Sequence, residues 1–113
     1  MEILFDETSQ NPKRIGLRGR LDLKGSGEIE LRFTSLTATD ASNVLVDMSE
    51  VEFIASIGMR LLLTCAKAKA ARGGKLALFG LQPMVTDALE TAGIDNLIPL
   101  YADEATALAG LRA

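Results

Sequence analysis

The sequence has no histidine and no tryptophan, and among its 113 residues there is one cysteine, Cys65. Without an imidazole neither a Ser-His-Asp nor a Cys-His arrangement can be built, and the usual zinc ligand sets are out of reach. Most hydrolase chemistry is excluded with them. A lone cysteine cannot form an internal disulfide, and on an apolar helix face Cys65 reads as core packing. No apolar run approaches the roughly 18 residues that a membrane span requires. Leu61 to Leu63 is followed within a few residues by Lys67 and Lys69. The glycine-rich pieces Gly25-Ser26-Gly27 and Gly73-Gly74 do not continue into a phosphate-binding loop or a dinucleotide fingerprint. The net charge is -3, with both signs interspersed, so the basic footprint of a nucleic-acid binder is missing. Glu2, Asp6 and Glu7 stand where a secretory signal would carry lysine or arginine. These absences together predict a cytoplasmic protein without metal or cofactor, without enzymatic activity, and with neither nucleic acid nor membrane insertion among its interactions.

What is present is an ordinary globular composition, 48% hydrophobic and 24% charged. The length suits one domain spanning residues 1–113, with no linker and no internal repeat. Glu2 to Thr8 and Lys13 to Gly19 are strand-like runs joined by Ser9-Gln10-Asn11-Pro12, which predicts an N-terminal hairpin. In the second run Ile15, Leu17 and Gly19 alternate with Arg14, Gly16 and Arg18. Asp22 then caps or turns the chain, Lys24-Gly25-Ser26-Gly27 has loop chemistry, and Ile29, Phe33 and Leu36 predict a helix from about Gly27 to Ala38.

The centre of the chain is Val44 to Lys69. Val44 to Met48 has the apolar composition of a strand covered on both faces, Val51 to Ile54 is a second short apolar run, and Ile57 to Lys69 puts Ile57, Leu61, Thr64, Cys65 and Ala68 on one helical face. Ser56 precedes the first helix-periodic residue, which predicts an N-cap. Gly58, unfavourable in a first turn, would leave the helix start bare of side chains and open to a phosphate or a partner's backbone. Met59 and Leu62 widen the apolar arc of this helix, and Met59 is a candidate for an exposed docking surface beside Ser56. Beyond it, Gly73-Gly74 ends the helix, Lys75 to Phe79 is a short strand, and a helix opened by Pro83 carries Met84, Val85, Ala88, Leu89 and Ala92 up to Gly93. Leu97 to Tyr101 is a last strand, and Ala102 to Leu111 a last helix that would bury Ala105, Leu108 and Leu111. Strands alternating with helices after a hairpin predict an α/β fold, with a four- to five-stranded, mostly parallel mixed sheet and about four helices.

Several of these residues resemble the STAS family, the domain shared by anti-sigma-factor antagonists and sulfate transporters. Gly19-Arg20-Leu21-Asp22 is similar to the Gly-x-Leu-Asp after the family's hairpin. Asp47-Met48-Ser49, Phe53-Ile54 and Ala55-Ser56-Ile57-Gly58-Met59 are similar to the family's Asp-x-Ser strand, apolar pair and Asp-Ser-Ser/Thr-Gly signature. Arg72 to Leu78 and Leu81 to Ile94 look like the family's C-terminal half, so the resemblance runs the length of the chain. Two residues depart from the signature: Ala55 replaces the acid, and Ile57 replaces the second hydroxyl.

The resemblance implies an anti-sigma-factor antagonist that binds a kinase-type anti-sigma factor. Phosphorylation of Ser56 would switch it off, thereby regulating sigma-factor-dependent transcription. The partner-binding residues it implies are Asp22, Ala55, Ser56, Ile57, Gly58 and Met59, with Ile57 expected to turn into the core. An alternative is a STAS module that is not phosphorylated and serves as a subunit of a transporter or signalling assembly. A small-molecule or nucleotide sensor is a third reading.

Overall fold

A computed structural model describes residues 1–112. Five strands form one sheet in the order β1-β2-β3-β4-β5. β1 (Glu2–Phe5) pairs antiparallel with β2 (Lys13–Leu21), and β3 (Val44–Ile54), β4 (Leu76–Phe79) and β5 (Leu100–Tyr101) continue the sheet in parallel. Four α-helices connect or follow the parallel strands: α1 (Leu23–Thr37), α2 (Ser56–Ala71), α3 (Pro83–Thr91) and α4 (Glu104–Arg112). This is the mixed sheet, hairpin and helix complement that the sequence predicts.

Side-chain alternation along the central strands sorts the core into two layers. Val44, Val46 and Met48 of β3 and Leu76 and Leu78 of β4 pack with Ile29 and Phe33 of α1, Leu62 and Cys65 of α2, and Leu89 of α3. Leu45, Ala77 and Phe79 point the other way, onto Ala107 and Leu111 of α4. Three helices therefore cover one face and α4 covers the other. A strand enclosed on both faces has no polar side to show, which is why β4 is buried at all four positions.

Several boundaries and one buried position differ from the sequence reading. Val44 to Met48 and Val51 to Ile54 are a single strand of 11 residues. The polar Ser49-Glu50 between them coincides with a register shift against β2, where Gly16 pairs with Asp47 but Arg18 with Glu50. The extra residue resets which side chains face inward, so the alternation breaks without the strand ending. Helix α1 starts at Leu23, four residues before the expected Gly27. The loop-like Lys24-Gly25-Ser26-Gly27 is its first turn, because Gly25 lies so close to the end of β2 that a Cβ there would meet Arg20 O. Leu97, expected in the last strand, is 58% exposed and follows a short 3-10 turn, which leaves β5 with two residues. In the last helix Ala107, not Ala105, is buried with Leu111.

Among the described residues, no helix is long and apolar enough to cross a membrane. One buried charge escapes any periodicity argument. Lys69 is fully buried in α2, where its Nζ donates to Asp40 O at 2.7 Å and to Asp40 Oδ1 at 3.0 Å. Asp40 also accepts from Lys13 Nζ at 2.7 Å, which ties β2, the α1–β3 connection and the end of α2 together.

Candidate functional site

β2 and β3 run parallel and end side by side, with Leu21 paired to Ile54. Each strand is followed at once by a helix, so the N-termini of α1 and α2 emerge together at the carboxyl edge of the sheet. The Ala55 N–H donates to Leu21 O at 2.9 Å, which extends the β2–β3 ladder into the turn that carries Ser56.

Asp22 is the N-cap of α1. Its carboxylate accepts from the Gly25 N–H at 2.8 Å, and that bond, against a smaller opposing effect of desolvation and with help from Arg20, holds its pKa below the ordinary carboxylate value. Arg20 lies over the Phe53 ring at 4.4 Å, with its Nε 3.6 Å from Asp22 Oδ2. The resemblance places Asp22 in the partner site; the structure gives it a local capping task at the same edge as Ser56.

At α2 the N-cap position belongs to Ala55, in extended backbone, and Ser56 is the first helical residue. The expected Ser56 cap is therefore corrected: no side chain caps α2, and the hydroxyl is exposed without a hydrogen bond among the described residues. Gly58 is corrected as well. It is buried, and a Cβ there would stand 2.7 Å from Leu21 O and 2.8 Å from Leu21 Cβ, so its lack of a side chain serves close packing of helix on strand rather than an open terminus.

That contact sets the rotation of the whole helix. With Gly58 turned inward, the buried positions of α2 are Gly58, Leu61, Leu62, Cys65 and Lys69. Thr64 is exposed and Ile57, expected in the core, is 37% exposed beside Ser56. Met59 is half-buried against the core, so the exposed apolar residue next to Ser56 is Ile57. Leu23, at the first position of α1, is 73% exposed and lines with Ile57 a groove of about 410 Å³ between the two helices. Sequence reasoning missed Leu23 because an exposed leucine in a first helical turn carries no periodic signal.

The family model described as STAS domain matches residues 7–107. The chain belongs to the STAS domain family. Within it, this STAS chain is 24% identical over 96 residues to a putative anti-sigma factor antagonist, BtrV, of Bordetella bronchiseptica, covering 85% of this chain and 83% of that one. Its fold superposes with a TM-score of 0.85 on an anti-sigma factor antagonist from Mycobacterium paratuberculosis, at 21% identity over 99% of this chain and 94% of that one. SpoIIAA, an anti-sigma factor antagonist and Bacillus cell-fate determinant, aligns in its unphosphorylated form with a TM-score of 0.78 at 20% identity (98% and 96% of the two chains). In its phosphorylated form the TM-score is 0.66 at 18% identity (96% and 97%).

Proposed function

We propose that this STAS domain is an anti-sigma-factor antagonist, and that phosphorylation of Ser56 by a kinase-type anti-sigma factor releases it from that partner. The observation that carries the reading is the exposed Ser56 hydroxyl, at the first position of α2 and uncommitted to any cap. Support comes from the similarity to BtrV, a putative anti-sigma factor antagonist, and to SpoIIAA, whose structure is known in a phosphorylated form.

The chain supplies the acceptor and its partner supplies the catalysis. Ser56 Oγ attacks the γ-phosphorus of ATP, an O–P bond forms, the bond to the β,γ-bridging oxygen breaks, ADP leaves and the hydroxyl proton passes to a base of the kinase. Such transfer depends on positioning and electrostatic stabilisation, so Ala55 in place of an acid slows the step without abolishing it. The product places roughly -1.5 to -2 charges at one point of the docking edge formed by Asp22, Ala55, Ser56, Ile57 and Met59. An apolar contact at Ile57 and Leu23 does not survive a dianion beside it.

The test is incubation with an anti-sigma-factor serine kinase encoded beside this chain and Mg-ATP, followed by intact-protein mass spectrometry. One phosphate per chain, lost in Ser56→Ala, is expected. No mass shift with a kinase that is active and tightly bound would instead indicate a constitutive binding subunit.

A further inference from the structure

We propose that Arg60 is the internal counter-cation of phosphorylated Ser56, a role that rests on the reading of Ser56 as the phosphate acceptor. Ser56 opens α2 and Arg60 follows four residues later, so the two side chains stand one above the other on the same helical face. An anion placed N-terminal to a cation at this spacing is the favourable order. Arg60 is exposed, lines the α1–α2 groove beside Ile57, and its guanidinium makes no ion pair or hydrogen bond among the described residues.

The other charges at this edge are arranged differently. Arg20 of β2 is held over Phe53 and near Asp22. Lys24 is exposed on the first turn of α1, Glu30 lines the groove from α1, and Glu52 is exposed on β3. Arg60 alone combines a free guanidinium with a place on the helical face of Ser56. A phosphoserine at position 56 offers three acceptor oxygens to its planar fork, a charge-assisted and bidentate match. The modified form would then differ from the unmodified one twice over, through the phosphate itself and through withdrawal of Arg60 from the mouth of the groove.

The experiment installs phosphoserine at position 56 during translation, so that no kinase is involved, and follows the second ionisation of the phosphate by 31P NMR at low ionic strength. The pKa in the otherwise native chain is expected to lie about 0.3 below that in the Arg60→Met variant, from the strength of such helical pairs. The gap should close in ~1 M salt. Arg20→Met and Lys24→Met should match the native value. Equal pKa values in the native and Arg60→Met chains overturn the proposal, as does an increase confined to Arg20→Met or Lys24→Met. Whether a kinase modifies Ser56 is read separately by mass spectrometry, so the two ideas fail independently. Methionine is a good helix former at an exposed position, and circular dichroism checks that the fold is retained.

Discussion

Gly58 of α2 lies directly against the main chain of Leu21, so close that a Cβ would stand 2.7 Å from the Leu21 carbonyl oxygen. This contact fixes the distance of α2 from the end of β2, and by fixing the helix's rotation it decides that Ile57 and Ser56 face outward together.

The glycines near this edge should therefore respond in a graded way to alanine. At Gly58 the atoms in the way are backbone, so Gly58→Ala should destabilise by about 1–3 kcal/mol despite its better helix propensity. Gly25→Ala should cost more, since a Cβ there would collide with Arg20 O. Gly27 has open space around it, and Gly27→Ala should stabilise by up to ~1 kcal/mol. Urea denaturation of the three variants checks the order, and a stabilising Gly58→Ala would show that the helix can move away from β2 at little cost.

The two helix starts predict opposite mutational responses. Asp22→Ala removes the cap of α1 and should cost about 1 kcal/mol, whereas Ser56→Ala removes no capping bond and should be close to neutral. Ala55→Asp supplies α2 with the missing cap and should stabilise by ~1 kcal/mol while raising the phosphorylation rate without creating a second site. Thermal melts and a kinase time course measure the two effects; loss of stability in Ser56→Ala would restore the hydroxyl as a cap.

Binding should separate the Ser56 variants. Ser56→Asp places an anion at the docking edge of a helix terminus that tolerates it, so it should fold normally and lose the anti-sigma partner, while Ser56→Ala keeps it. Calorimetric titration of both variants decides the matter, and equal affinities would remove Ser56 from the switch.

Asp40 and Lys69 predict a sensitivity to acid. The Asp40 carboxyl is held far below its ordinary value of 3.8, first by Lys13, then by Ser42 and Lys69. A carboxylate depressed in the folded state stabilises above its unfolded pKa and loses that contribution as the pH falls towards the folded one. Stability should therefore drop progressively below about pH 3.8, and less steeply in Asp40→Asn. At neutral pH, Asp40→Ala leaves the buried Lys69 ammonium with only the main-chain oxygen and should cost about 2–4 kcal/mol, more than Lys13→Ala. Chemical denaturation across pH 2–7 tests both statements.

Much of this protein was legible without coordinates because the relevant interactions are local or periodic. The alternation of apolar strands and helices determined the mixed sheet, its hairpin and its four helices, and Ser56 could be placed at the start of α2 from the break between Ile54 and Ile57. What the sequence could not determine was the rotation of each element about its own axis. Ile57 and Gly58 are neighbours in any periodic reading, and only the approach of α2 to Leu21 turns one outward and the other inward. In the same way Gly25 looks like a loop residue until the end of β2 is brought against it, and Lys69 looks like a surface lysine until Asp40 is carried beneath it by a connection 29 residues away. Propensity and pattern act along the chain, whereas steric contact and charge pairing act between segments that only the folded structure brings together.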